Sequence, residues 1–178
     1  MTKLTLRKLC LEDAQAFHEL RKESLIDCPE GYGMGLEKWI AAPLSAVESM
    51  IEACLSDAEG PLIGAFMNEE LVGHVGVKLI GREKVRHMGT LWGLFVHPHF
   101  RRQKIAQALV KQIIAECKSM KDLEQIRLMV CADSIPAVTL FESKSFKHYG
   151  VEPRGRKVGE TYYDLIYMWR MLEVDGHQ

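Results

Sequence analysis

The order of apolar and polar positions divides the first third of the chain into one strand and two helices. Apolar and polar residues alternate over residues 4–9, which predicts a strand. Glu12 and Asp13 then precede apolar residues at helical spacing, and acidic residues favour the first turn of a helix. Residues 28–35 contain three glycines and a proline and predict a loop. A second helix is predicted over residues 43–56, because proline suits a first helical position.

Strands alternate with longer helices in the rest of the chain. A third, mostly buried strand over residues 90–96 ends at His97 and Pro98, and the apolar face of residues 102–118 predicts the longest helix. The other predicted elements are strands at 62–67 and 71–80 joined by a polar turn, a strand at 126–130, a helix from 133 or 134 to 144, and strands at 146–151 and 162–171. The order β-α-α-β-β-β-α-β-α-β-β predicts an α/β domain.

Composition narrows the range of functions. The 178 residues suit a single domain over 1–178, and 47% apolar with 26% charged residues is ordinary for a soluble protein. A net charge of -1 gives no overall attraction to nucleic acid or to an anionic membrane. The five cysteines form no CxxC pair and no apolar run approaches the roughly 20 residues of a membrane span. We therefore expect no metal, no nucleic-acid or membrane partner, and a cytoplasmic protein with reduced thiols.

An anion site is predicted where the third strand turns into the long helix. Pro98 stops the strand because it has no N–H to donate, and the first N–H groups of the following helix have no partner within that helix. Arg101, Arg102 and Lys104 lie beside that positive helix end, and Ala106 is small enough for a ligand to approach. This pattern predicts a pyrophosphate cradle; the alternative is a basic, solvated helix start.

The same residues resemble a known motif. Val96-x-Pro98-x-x-Arg101-x-x-Lys104-x-Ala106 is similar to the acyl-CoA motif of the GNAT family of N-acetyltransferases. Lys104 stands where the family usually has its first glycine, and a lysine is strained there if the position needs a positive φ.

The resemblance extends over nearly the whole chain. Residues 133–146 resemble a second family pattern, with Ser134 in place of the usual asparagine and Phe141 in place of the usual tyrosine. Residues 21–30 and 149–164 resemble parts of a bacterial subgroup.

The resemblance implies a single GNAT domain of α/β (α+β) class and a cosubstrate, acetyl-CoA. The implied sheet is mixed and mostly antiparallel, with six to seven strands flanked by about four helices. The backbone N–H of Leu94 is the expected donor to the thioester oxygen in the transition state. The residues expected to hold the cosubstrate are Leu94, Phe95, Val96, Arg101, Arg102, Gln103, Lys104, Ile105, Ala106, Ser134, Ala137, Phe141 and Lys144.

The acceptor implied by the resemblance is the primary amine of a small molecule or a peptide. Free alkyl amines have a pKa near 10, so a base or a water chain must deprotonate the acceptor near neutral pH. The candidate bases are Glu30, Glu37 and His87, and Tyr149 or Tyr163 is the candidate acid, since Phe141 cannot donate a proton. Glu30, Tyr32 and Trp39 are expected to border the acceptor; the alternative for the two aromatic residues is loop packing.

The sequence thus predicts an acetyltransferase in which the amine attacks acetyl-CoA directly in a ternary complex. The alternative is a CoA-binding regulatory or interaction module with eroded catalysis, suggested by Lys104, Ser134 and Phe141. A homodimer is expected, because members of the family often dimerise. The basic run at residues 154–157 is interpreted as a solvated hairpin turn and not as a nucleic-acid site.

Overall fold

The computed structural model describes residues 3–56 and 58–172. These residues form seven strands and five α-helices, joined by loops and short 3-10 turns. The strands are β1 (Leu4–Lys8), β2 (Leu62–Met67), β3 (Glu70–Leu79), β4 (Met88–Val96), β5 (Gln125–Cys131), β6 (Lys147–Val158) and β7 (Thr161–Met171). The helices are α1 (Ala14–Asp27), α2 (Leu36–Ile40), α3 (Leu44–Leu55), α4 (Ile105–Lys118) and α5 (Ile135–Ser143).

One sheet contains all seven strands in the order β1-β2-β3-β4-β5-β7-β6. Every neighbouring pair is antiparallel except β4 and β5, which are parallel and are joined by a crossover through α4. The parallel pair is also the shortest: Met88, Gly89 and Thr90 are opposite Gln125, Ile126 and Arg127, and the pairing stops there.

The two faces of the sheet are covered by different helices. Alternate side chains of a strand point to opposite faces, and in β2 Leu62 packs with α1 and α3 whereas Ile63 packs with α4. Helix α5 packs on the same face as α4, where its side chains Val138 and Phe141 join the core. Burying both faces explains why β2 consists entirely of buried residues instead of alternating apolar and polar ones.

The predicted fold class is confirmed, with seven strands and a mixed, mostly antiparallel sheet. The described residues form five helices, and the one that the sequence pattern missed is α2, a single short turn that follows the glycine-rich loop. The long helix begins at Ile105 instead of residue 102, because Arg102 and Lys104 have positive φ angles that a right-handed helix excludes.

The interpretation of residues 154–157 as a hairpin turn is wrong, because they belong to strand β6. β6 continues through Pro153 because it is at the edge of the sheet, where a missing N–H is tolerated. An irregularity in the pairing with β7 between Glu152 and Arg156 accommodates it. The turn follows at Gly159 and Glu160, and Gly159 supplies a φ of 56°.

No helix of the described residues is long and apolar enough to cross a membrane.

Candidate functional site

A cleft opens where β4 and β5 separate. Beyond Thr90 and Arg127 the two strands no longer pair, so the remaining part of β4, as far as Val96, has no partner strand on that side. The cleft between them has a volume of about 860 Å³, which lies within the usual range of roughly 300–1,000 Å³ for ligand sites. Its lining includes residues from both helix-covered faces of the sheet, so two molecules can reach β4 from opposite sides.

The first side of the cleft is the N-terminal end of α4. The first described backbone bond of this helix runs from the N–H of Ala108 to the carbonyl of Lys104 (3.0 Å), which leaves the earlier N–H groups to a ligand. Arg102 and Lys104 are exposed there, and neither has a carboxylate partner among the described residues. These two cations and the helix N-terminus can attract an anion, and together they are the predicted anion site.

The backbone of this anion site is strained at two positions. Arg102 has a φ of 63° and Lys104 a φ of 61°, both in the left-handed region that favours glycine. The structure therefore meets the condition under which the sequence predicted strain at Lys104.

Arg101 fixes the turn that carries these residues. Its Nε donates to the carbonyl of Val96 at 3.0 Å, and its Nη2 donates to the carboxylate of Asp27 at the end of α1. The hydrogen bond from Arg101 lowers the pKa of Asp27. Arg101 thus lines the cleft with a guanidinium that already has two protein partners.

A β-bulge shapes the floor of the cleft. The register between β3 and β4 shifts between His74 and Gly76, and Gly93 on β4 has a φ of 69°. His74 is fully buried beneath this bulge, and burial, reinforced by the charge of Arg21, lowers its pKa well below 6.5. His74 is therefore a neutral core residue near neutral pH.

The second side of the cleft is formed by α1 and the turn that follows it. Arg21, Tyr32 and Trp92 form a stack: the Arg21 guanidinium carbon lies 4.1 Å from the centre of the Tyr32 ring and 5.8 Å from that of the Trp92 ring. The Tyr32 hydroxyl donates to the Leu94 carbonyl at 3.4 Å, which ties the loop to β4. Burial raises the pKa of Tyr32, so its hydroxyl stays protonated near neutral pH.

Glu30 is held on the same side through its backbone. Arg156 on β6 donates to the Glu30 carbonyl at 2.6 Å, and the thiol of Cys131 donates to the same oxygen at 2.9 Å. These contacts join the glycine-rich loop to β5 and β6 across the mouth of the cleft.

Most of the residues predicted for the site line this one cleft. They are Leu94, Phe95, Val96, Arg101, Arg102, Lys104, Ile105, Ala106, Ser134, Ala137 and Phe141 among those expected to hold acetyl-CoA, and Glu30 and Tyr32 among those expected near the acceptor. The other predicted residues lie outside its lining: Gln103, Lys144, Glu37, His87, Tyr149, Tyr163 and Trp39.

The candidate bases Glu37 and His87 lie away from the cleft floor. Glu37 is exposed in the first turn of α2. His87 precedes β4 at its far end, about 23 Å along the strand from Leu94 at roughly 3.3 Å per residue. The His87 carbonyl accepts hydrogen bonds from the N–H groups of Glu124 and Gln125, so the backbone of His87 helps to position the start of β5.

The aromatic candidates outside the cleft have packing partners elsewhere. Tyr149 is 53% exposed on β6 and contacts the edge of Tyr167. Trp39 is buried, stacks on His18 and donates from Nε1 to the His18 carbonyl at 3.0 Å. The alternative of loop packing therefore describes the environment of Trp39.

The cleft residues that were not predicted as site residues include Arg21, Trp92 and Arg156. Arg21 appeared only as part of the family resemblance, Trp92 as a residue of a buried strand, and Arg156 as part of a turn. The sequence offered one signal, an arginine on the apolar face of a predicted helix: Arg21 is four residues after Phe17 and four before Leu25.

Among the described residues, no group of three or more histidine, cysteine or acidic side chains is arranged to hold a metal ion.

Comparison with known proteins matches residues 15–146, well over half of the chain, to the model of the Acetyltransferase (GNAT) family. The L-amino acid N-acetyltransferase AaaT of Escherichia coli is 24% identical over 107 residues, which are 60% of this chain and 65% of that protein. The match thus spans slightly less than two thirds of that relative's length.

Solved structures share the fold over almost the whole chain. The acetyltransferase of GNAT family from Streptococcus pneumoniae superimposes with a TM-score of 0.86 at 21% identity, covering 96% of this chain and 99% of that chain. The phosphinothricin acetyltransferase from Sinorhizobium meliloti, solved in complex with acetyl-CoA, superimposes with a TM-score of 0.82 at 16% identity, covering 95% of this chain and 88% of that chain.

Proposed function

The chain belongs to the GNAT family of acetyltransferases, and from this premise we propose that it transfers the acetyl group of acetyl-CoA to a primary amine. The proposal rests on two features that lie side by side, a strand edge without a partner and an open helix N-terminus. β4 separates from β5 directly beside the open N-terminus of α4, where Arg102 and Lys104 have no carboxylate partner among the described residues. A diphosphate group fits that helix end, and an extended chain fits the unpaired edge of β4.

Acetyl-CoA supplies an activated acetyl thioester to this site. The residues proposed to hold its phosphates are Arg102, Lys104 and the first N–H groups of α4, with Ala106 leaving room beside them. The backbone of Leu94 to Val96 is proposed to hold the extended arm, and the N–H of Leu94 to stabilise the negative charge that develops on the thioester oxygen. The relative AaaT, by its name, acetylates L-amino acids, which supports an amine acceptor for this chain.

The amine attacks the thioester directly in this proposal, without a covalent enzyme intermediate. Burial raises the pKa of the Cys28 thiol to about 12 and also raises that of Cys131, so neither cysteine of the cleft is a thiolate near neutral pH. The acceptor nitrogen forms the amide bond as the carbon–sulfur bond breaks, and the proton that the nitrogen loses ends on the sulfur of CoA.

Proton transfer depends on few side chains. Of the three base candidates only Glu30 lines the cleft, so the acceptor is deprotonated by Glu30 or by water. Phe141 is 4% exposed, packs on Phe146 and cannot donate a proton. A thiol has a pKa of about 8.5, so the leaving sulfur can take up its proton without an acid at this position.

Calorimetric titration with acetyl-CoA, followed by thiol release against a panel of amines, tests the proposal. Micromolar binding is expected, with release above the spontaneous rate for one class of amine. Ala106→Phe should weaken acetyl-CoA binding at least 10-fold because it fills the first turn of α4. Ala115→Phe, at an exposed position of the same helix, is the matched control and should bind as the wild type does.

Binding without turnover on any amine would contradict the enzymatic proposal and favour the regulatory module. Equal affinities of Ala106→Phe and the wild type would show that the first turn of α4 is not the cosubstrate site.

A further inference from the structure

Arg21 is a buried cation in the cleft, and no salt bridge joins it to an acidic side chain in the part of the chain that the structure describes. Its side chain belongs to α1 and is 6% exposed. The three acidic residues of α1 have other partners: Glu19 pairs with Lys22, Asp27 pairs with Arg101, and Glu23 lies 3.5 Å from His97. The hydrogen-bond contacts of Arg21 among the described residues are a long one, 3.4 Å from Nη1 to the hydroxyl of Ser24, and one with the Tyr32 hydroxyl, which raises the pKa of Arg21 less than burial lowers it.

Such burial is unfavourable without an anion. A guanidinium stays charged in proteins, and an unpaired charge away from water is costly. Burial lowers the pKa of Arg21. The rings of Tyr32 and Trp92 stabilise the cation by cation–π contact, which leaves most of its five N–H donors without an acceptor among the described residues.

Arg21 lies close to the part of β4 where acetyl transfer is proposed to take place. A Cβ added to Gly93 would lie 3.7 Å from Nη1, so the guanidinium stands beside the β4 bulge that precedes Leu94. It is on the α1 face of the sheet, whereas Arg102 and Lys104 are at the start of α4, which packs on the opposite face. An anion bound by Arg21 is therefore distinct from the phosphates assigned to the α4 end.

We propose that Arg21 binds the carboxylate of the acceptor, and that the acceptor is a free α-amino acid whose amine is acetylated. This inference rests on the proposed acetyl transfer and adds the substrate class. A planar guanidinium matches a carboxylate in two parallel hydrogen bonds, and Tyr32 and Trp92 hold it in one orientation. The N-terminus of a peptide lacks the neighbouring carboxylate, so peptide amines are poor acceptors.

Matched acceptors test the proposal. Thiol release is measured with L-amino acids of apolar, acidic and basic side chain, and with the amide and the decarboxylated amine of each. The wild type should favour at least one amino acid over its own amide by about 10²-fold or more in kcat/KM, because a site built for a charged group rejects an analogue that lacks it.

Substitution of Arg21 separates recognition from packing. Arg21→Gln should lower kcat/KM for the preferred amino acid by about 10²–10³-fold, mainly through a higher KM. It should lower kcat/KM for the amide at least about 10-fold less than for the amino acid, since the amide has no carboxylate to lose. Arg21→Lys should recover part of the lost activity, since it keeps the charge and loses the planar fork. Lys22→Gln, at the neighbouring surface position paired with Glu19, is the matched control.

The outcomes distinguish the two proposals. If amides and amines are acetylated as fast as amino acids, or if Arg21→Gln slows acid and amide equally, Arg21 has a packing or electrostatic role and the substrate class is wrong, while acetyl transfer stands. If no amine releases thiol from bound acetyl-CoA, both proposals are overturned.

Discussion

Two residues of the anion site hold a backbone conformation that their side chains disfavour. The left-handed region costs a non-glycine residue roughly 1–2 kcal/mol. Lys104 and Arg102 both occupy it, immediately before α4. Strain that persists next to a ligand site is compensated by its surroundings, here by the bonds of Arg101 to Val96 and Asp27.

Replacing Lys104 by glycine should stabilise the protein. Lys104→Gly removes the steric cost of the φ of 61°, and we expect about 1 kcal/mol of added unfolding free energy after the greater entropy of unfolded glycine is included. Urea unfolding measures the effect. Lys104→Ala removes the same charge and keeps the Cβ, so it should give no such gain; equal stabilities of the two variants would rule out backbone strain as the cause.

His74 should make folding stability depend on pH. Its pKa is near 6.5 in the unfolded chain and well below that when folded. Well above pH 6.5 the ring is neutral in both states. As the pH falls below 6.5 the unfolded state takes up a proton that the folded state does not, so stability decreases, by up to about 1.4 kcal/mol per pH unit.

Urea midpoints at pH 7.5 and 5.5 test this dependence on wild type and His74→Leu. The wild type should lose about 1 kcal/mol more than the variant over this interval. Parallel losses in the two proteins would exclude His74 as the source of the decrease.

Among the secondary-structure elements, β4 departs in two ways from a regular strand, by a bulge and by the early end of its pairing with β5. It pairs fully with β3, leaves β5 after three residues, and carries the bulge at Gly93 that directs Leu94 towards the cleft. The ring of Trp92 lies over Gly76 so closely that an added Cβ there would be 2.5 Å from it. The shape of the cleft floor therefore depends on small residues in both strands.

Gly93→Ala should destabilise the protein through the backbone alone. An added Cβ meets no atom closer than 3.5 Å, so the expected cost of about 1–2 kcal/mol comes from the φ of 69°. Thermal unfolding measures the change. Gly81→Ala, which adds a Cβ in open space at a position without positive φ, should change stability by less than about 0.5 kcal/mol. A neutral Gly93→Ala would mean that the bulge relaxes.

For the whole molecule, the two core clusters share one sheet. The α1 and α3 cluster contains Phe95 of β4, and the α4 cluster contains Val96, the next residue. Neither cluster can lose its strands without exposing the other, which is the physical basis for predicting a single cooperative domain. Homodimerisation and the cytoplasmic location stay predictions.

Unfolding should therefore be a single transition. A variant with Trp92→Phe and Trp169→Phe keeps Trp39, which reports on the α1 and α3 cluster. Its fluorescence and its far-UV circular dichroism should give the same urea midpoint. Separate midpoints would contradict the single domain and indicate two units that unfold independently.

Local pattern was sufficient for the order of the seven strands and of every described α-helix except α2, and it pointed to the α4 end of the cleft. The parts of this end follow one another in the sequence: a strand that stops at Pro98, three cations, and a helix with a small residue in its first turn. The first N–H groups of a helix lack partners within that helix in any fold. Strain at Lys104 was predicted on the condition of a positive φ, and that prediction came from the resemblance to a family that usually has glycine at this position.

The acceptor side depended on contacts that sequence spacing does not reveal. Arg156 reaches the carbonyl of Glu30 across 126 positions, and Arg101 reaches Asp27 across 74. Whether a side chain is buried, and which charges it lacks, follows from how distant segments pack. For that reason His87 and Tyr149 looked as suitable as Glu30 in the sequence, and the isolated charge of Arg21 became visible in the folded chain.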